Sequence, residues 1–254
     1  MQALVTAAAA LVAVAAAARS TWSPCGVSML ATVTPLAERG RGHRYRSTAA
    51  WFIAGGTAGG ATLGVVTAAL ALGVRAADPS ATALAVLACA VAVLAATSDS
   101  RIGGFRLPFH SRQVNERWLD QFRPWAYGAG FGWQIGAGLV TYIKTAALYL
   151  MIALAALTAS PATGLAIGAL FGLVRGLAVL LGRGIVSPDT LAEFHRRFTR
   201  AGPVVLGVVV ACELTVALVF AAALSPWFAL ALVLIAAAAA ASRLRRRTPA
   251  AARF

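Results

Sequence analysis

The chain has 254 residues, 60% of them hydrophobic and 12% charged, with a mean hydropathy of +0.79. Soluble domains are about 45–50% apolar and about 25% charged, so an ordinary cytosolic enzyme and a disordered chain are both excluded. The formal charge of +14 would suggest nucleic acid in a soluble protein, but here the arginines fall between long apolar runs and no nucleic-acid motif accompanies them. The composition is that of an all-α integral membrane protein, with the lipid bilayer as its partner and no nucleic acid.

A bilayer core about 30 Å thick takes roughly 20 residues of helix. The first apolar stretch runs from Gln2 to Leu36 and is interrupted at Ser23-Pro24-Cys25-Gly26. Met1-Gln2 carries no Lys or Arg, so the stretch reads as a retained membrane segment rather than a signal peptide. It is either one broken span with the N-terminus outside or two spans with it inside. Further spans are expected over Thr48–Val74, Ser80–Ala96, Ala126–Leu157, Ala162–Gly182, Pro203–Leu224 and Trp227–Ala241. That makes about seven transmembrane helices.

All arginines but Arg19, Arg75 and Arg175 lie in four regions: the loop after the first stretch, residues 97–125, residues 183–202 and the C-terminal tail. One alternating path places all four in the cytoplasm of a multi-pass plasma-membrane protein. Trp51, Trp125 and Trp227 fall at span ends, where an indole suits the headgroup layer. Ser187-Pro188, followed by Leu191, Phe194 and Phe198 among arginines, predicts a short amphipathic connecting helix.

Two features recur along the chain. Gly55, Gly56, Gly59, Gly60 and Gly64 mark one span, and Gly164, Gly168, Gly172 and Gly176 another, at spacings that put small residues on one helix face. A breakable helix also opens each half: Ser23–Gly26 in the first, and Gly130–Gly138, rich in glycine, in the second. The organisation expected is a 3+3 inverted repeat plus a C-terminal helix. Residues 1–96 form the first repeat, 97–125 a basic loop, 126–224 the second repeat, and 225–254 an added helix and tail. Broken helices at mid-depth are a carrier architecture.

Ser23-Pro24-Cys25, with Pro35 and a basic loop after it, and Gly130-Phe131 followed by Gly136-Ala137-Gly138, resemble the transmembrane domain of the DsbD/CcdA type, in the superfamily of LysE-type exporters. The resemblance spans Gln2 to Leu224. It implies a thiol-disulfide carrier of reducing equivalents for cytochrome c maturation or thiol maintenance. Its partners would be a cytoplasmic thioredoxin and an extracytoplasmic thiol protein. Carried over, Cys25 after Pro24 is the redox cysteine, while the second motif position holds Gly138, with Ala137 in place of proline.

From the residues themselves, Glu213 is the one acidic residue inside a predicted span, and Lys144 is the sole lysine of the chain and also lies within one. Ionisable groups at bilayer depth pair, face a cavity or act on ions, so a Lys144–Glu213 contact is one expectation. Arg175 is expected to snorkel. Cys89 and Cys212 occupy corresponding spans of the two halves, either as small apolar residues or as a pair. Gln134, Thr141 and Tyr142 offer polar contacts along the broken fourth span. His43, His110 and His195 lack metal-ligand spacing, and no cofactor or metal is expected. The alternative to the redox carrier is a transporter of a small solute or ion using the Gly136–Gly138 break, Lys144 and Glu213. A third reading is a structural subunit assembling through Gly168 and Gly172.

Overall fold

A computed structural model describes residues 1–108, 121–139 and 143–247, with side chains described up to residue 238. The described residues form helices and connecting turns: α1 (Gln2–Ser20), α2 (Pro24–Thr32), α3 (Pro35–Gly40), α4 (Tyr45–Ala77), α5 (Ala81–Ser100), α6 (Pro124–Gly136), α7 (Ala147–Leu157), α8 (Pro161–Leu177), α9 (Pro188–Leu224) and α10 (Pro226–Arg247). Among the described residues, five helices are long and apolar enough to cross a membrane, counting α8 with the 3-10 turn that extends it to Gly184. The chain is an all-α membrane protein.

Two of the seven expected spans are missing from these five: the one over Ala126–Leu157 breaks into two pieces, and the C-terminal one is described as a shorter apolar helix, Pro226–Ala238. The first apolar stretch becomes α1, α2 and α3. Ser23 caps α2, its Oγ accepting from the Gly26 amide at 3.2 Å, and Pro24 takes the first helical position, where it has no amide to lose. Gly26 is needed there because a Cβ would stand 2.2 Å from the Thr21 carbonyl oxygen. The span expected over Ala126–Leu157 is likewise two shorter helices, α6 and α7, with Gly138 at φ +68° just after α6. A left-handed backbone at that point suits glycine and ends a right-handed helix.

In the other direction, the short amphipathic helix expected after Ser187 is continuous with the span after it. α9 runs for 37 residues with Pro203 inside. One turn before that proline, the Phe198 carbonyl accepts from the Trp22 indole at 2.7 Å, and the two rings stack at 4.3 Å. Tertiary contact holds the amphipathic turn in line with the rest of α9.

Helix α4 is the axis of the bundle, lying between α6 and α8. The three helices approach to backbone contact. A Cβ on Gly172 would lie 2.2 Å from the Gly56 carbonyl oxygen, one on Gly60 2.3 Å from that of Gly168, and one on Gly132 2.1 Å from that of Phe52. The apolar core divides in two. One part joins α1, α5, α7, α8 and α9, and the other gathers Met29, Leu30, Phe52, Tyr127 and Phe131. Apolar side chains stay exposed on α4 from Trp51 to Leu72, the height of a bilayer core at about 1.5 Å per residue.

Candidate functional site

Breaking a helix inside an apolar bundle exposes carbonyls at one new end and amides at the other, and each must find a partner. Here each break is met by one buried ionisable residue of the sign that the helix end favours. At the C-terminus of α1, the guanidinium of Arg175, from α8, donates through Nη2 to the Ser20 carbonyl at 3.3 Å. At the N-terminus of α7, the carboxylate of Asp99, from α5, accepts from the Ala146 amide at 2.7 Å and from the Thr145 hydroxyl. A cation at a helix C-terminus and an anion at an N-terminus both complement the helix dipole.

Arg175 therefore does not snorkel: it is 2% exposed, because the opened end of α1 gives its charge a carbonyl that lipid cannot. Its guanidinium lies 5.8 Å from the centre of the Phe171 ring. Cys25, buried near the start of α2 beside Pro24, is its electrostatic neighbour. Gly138 faces the same Phe171 ring, where a Cβ would stand 3.0 Å from Cε1. The two breaks thus converge on Arg175 and Phe171. Gly136 is instead taken up by packing, its missing Cβ position lying 2.0 Å from the Gly56 carbonyl oxygen.

Glu213 is wholly buried on α9, and neither of its oxygens has a hydrogen-bond partner among the described residues. The expected contact with Lys144 is not made. The charged neighbour of Glu213 is Asp99, while Lys144 lines a cavity of about 80 Å³ with Arg19, Asp99, Arg101 and Arg106. Depth along the chain put Lys144 and Glu213 at one level, but it could not say that Asp99 and Arg19 would also meet there. Arg19 is 9% exposed, and its Nε has no hydrogen-bond partner among the described residues. Among the described residues, no disulfide joins Cys25, Cys89 and Cys212; the Cys89 thiol donates to the Ala217 carbonyl at 3.5 Å. Gln134 lies on α6, and His110, Thr141 and Tyr142 lie outside the described residues. No group of three metal-ligating side chains occurs among the described residues.

Two carboxylates escaped the sequence reading. Asp99 follows the predicted end of its span by three residues, and Glu38 sits in a basic loop. Glu38 is fully buried and accepts from the Tyr127 hydroxyl at 2.7 and 2.8 Å, from Thr48 Oγ1 at 2.6 Å and from Arg41 at 3.0 Å. Both carboxylate oxygens have donors, so this cluster ties α3 to α4 and α6. Tyr127→Phe should cost about 2 kcal/mol, the scale of a hydrogen bond to a charged group, read as a lowered melting temperature in detergent. An unchanged melting temperature would contradict that assignment.

With this geometry in hand, similarity to known proteins becomes informative. The chain is 34% identical over 175 residues to the methylamine utilization protein MauF of Paracoccus denitrificans, covering 66% of this chain and 60% of that protein. It is 29% identical over 211 residues to the MauF of Methylorubrum extorquens, covering 80% and 72%. For the MauF of Methylophilus methylotrophus the identity is 30% over 167 residues. The chain resembles MauF proteins. It spans about three-fifths of the length of the two Paracoccus relatives. No protein-family model matches it, and no solved structure does.

These relatives overturn the assignment to DsbD/CcdA-type carriers, none of them bearing such a name. The physical source of the false resemblance is visible at the first break. Ser as cap, Pro at the first position and Gly at a close approach are what a helix restarting inside a bundle needs, whatever it carries. With the assignment go the thioredoxin and thiol-protein partners and the cytochrome c role that it implied.

Proposed function

We propose that this chain is an accessory membrane protein of methylamine utilization that carries a small ion or solute through the helix bundle. The likeness to MauF proteins supplies the pathway. The carrier role rests on one observation: Glu213, a buried carboxylate without a hydrogen-bond partner, lies in electrostatic range of Asp99, which holds the second helix break. An ionisable group at that depth is costly, and one with no structural partner is best explained by work on an ion. Broken helices whose free ends point inward are the usual means of building such a path. In this reading Glu213 takes up and releases the ion, Lys144 and Arg19 set the field on the arginine-rich side, and Gly138 lets the chain turn at the break. The protein is multi-pass in the plasma membrane with its arginine-rich loops cytoplasmic, and residues 1–96 and 126–224 are the two oppositely oriented halves.

The test is growth with methylamine as nitrogen source. A strain lacking the gene should fail to grow on it, while growing normally on ammonium. The wild-type gene should restore growth and Glu213→Gln should not. Restoration by Glu213→Gln would overturn the reading.

One observation favours a second reading. Cys25 is buried near the start of α2, at the first helix break, with Arg175 as its electrostatic neighbour. If the cargo is reducing equivalents, Cys25→Ser should abolish growth on methylamine as fully as deletion. If the cargo is an ion, Cys25→Ser should leave growth within about twofold of wild type, as expected for a small packing residue replaced by its near-isostere.

A further inference from the structure

Four basic side chains, Arg19, Arg101, Arg106 and Lys144, line the 80 Å³ cavity at the C-terminal end of α5. One carboxylate, Asp99, shares it, but both oxygens of Asp99 are engaged at the start of α7. The ion pairs between described residues lie elsewhere, at Glu38–Arg41 and at Glu193 with Arg196 and Arg197. The Nε of Arg19 is buried in this cluster without an acceptor among the described residues. Among the described residues, the three arginines of the cavity thus outnumber its one carboxylate, and the buried Nε of Arg19 has no acceptor, a setting that suits an oxyanion. Guanidinium groups match a phosphate in particular, through paired N–H donors.

A second cavity, of about 340 Å³, opens beside the first. Val93, Thr97 and Ile102 line it from α5 and the turn after it, Val210 and Leu214 from α9, and Leu232 from α10. The two cavities follow one stripe of α9: Leu206 borders the basic one, and Val210 and Leu214, at four-residue steps, border the apolar one. A charged head and a greasy tail side by side, at the end of a membrane helix, fit one class of molecule.

We propose that this seam binds an anionic phospholipid, its phosphate among Arg19, Arg101 and Arg106 and an acyl chain in the groove between α5, α9 and α10. Basic pockets between membrane helices hold lipid headgroups in this way. A free phosphate ion would meet the charge but leave the groove empty; a zwitterionic lipid would fill the groove but bring its own cation to a pocket already crowded with them.

The experiment uses the full chain purified in mild detergent, with native mass spectrometry for retained lipid and thermal melting with added phosphatidylglycerol, phosphatidylcholine or inorganic phosphate. The wild type should retain an anionic phospholipid and melt higher with phosphatidylglycerol than with either of the others. Arg101→Gln with Arg106→Gln should bind phosphatidylglycerol on the order of thirtyfold more weakly, at about one kcal/mol for each basic side chain near a headgroup. Equal stabilisation by phosphatidylcholine, or an equal effect of phosphate alone, would overturn the proposal. So would wild-type protein that carries no lipid. The wild-type comparison among the three additives stands even if the double variant does not fold.

Discussion

Gly172→Leu should leave no folded protein in the membrane. A Cβ at this position would already lie 2.2 Å from the Gly56 carbonyl oxygen and 2.6 Å from the Gly60 Cα, both backbone atoms that cannot swing aside. Accommodating a leucine would drive α8 away from α4 along their whole contact, and close backbone approach is what holds helices together where lipid gives them no hydrophobic reason to associate. The cost belongs to the exceptional tail of single substitutions, beyond about 4–5 kcal/mol. Fluorescence-detected size exclusion of a tagged chain would read it as loss of the monodisperse peak. A graded control is available along the same helix. Gly164→Ala, where the nearest atom is the Ala68 nitrogen at 3.0 Å, should weaken but not abolish folding. Gly207→Ala on α9 meets nothing within 4 Å and should stabilise by up to about 1 kcal/mol through helix propensity alone. A Gly172→Leu protein that folds like wild type would mean that α4 and α8 do not touch through these glycines.

Glu213→Gln should separate stability from function. The carboxyl group is 0% exposed and neither oxygen has a hydrogen-bond partner among the described residues, so the folded protein gains nothing from it and bears the cost of burying it. The neutral amide has the same shape, and the variant should melt at or above the wild-type temperature. Growth on methylamine should nevertheless fall to that of the deleted strain, since an amide has no proton to exchange and no negative charge to offer a cation. Glu213→Asp, which keeps the acid but withdraws it by one methylene, should retain part of the activity. A fall in melting temperature with Glu213→Gln, accompanied by normal growth, would make Glu213 a structural residue whose partner is something other than a transported ion.

The bilayer reading and the positions of the long helices were legible because they depend on runs of like residues: α4, α5 and α8 lie where apolar length alone put them. The breaks at Ser23-Pro24 and Gly136–Gly138 were legible too, since proline and glycine act on their own backbone. The residues that repair those breaks were harder to see. Asp99 and Arg175 lie 47 and 155 residues from the groups they bind, Ala146 and Ser20, and nothing local to either announces the pairing. Glu38 was passed over as one charge in a basic loop because its three donors come from α4, α6 and its own turn. The extent of α9 was misjudged for a related reason: Pro203 reads as a boundary, and the contact that Trp22 makes with Phe198 on the turn before it is invisible in the sequence.

What the sequence by itself determined is everything set by composition and by short-range backbone chemistry. It made the chain a membrane protein, gave the glycine faces their four-residue spacing, and marked where two helices must stop and restart. What the tertiary structure alone decided is which charge meets which helix end. It took Arg175 out of its expected route to the surface and used it to close α1, and it spent Asp99 on α7. Among the described residues, Glu213 was thereby left as a buried carboxyl group without a hydrogen-bond partner, and the Nε of Arg19 as a buried donor without an acceptor. Folding brings distant helices to the same depth, and in a medium without water to share, the order in which buried charges find partners decides which of them remain for function.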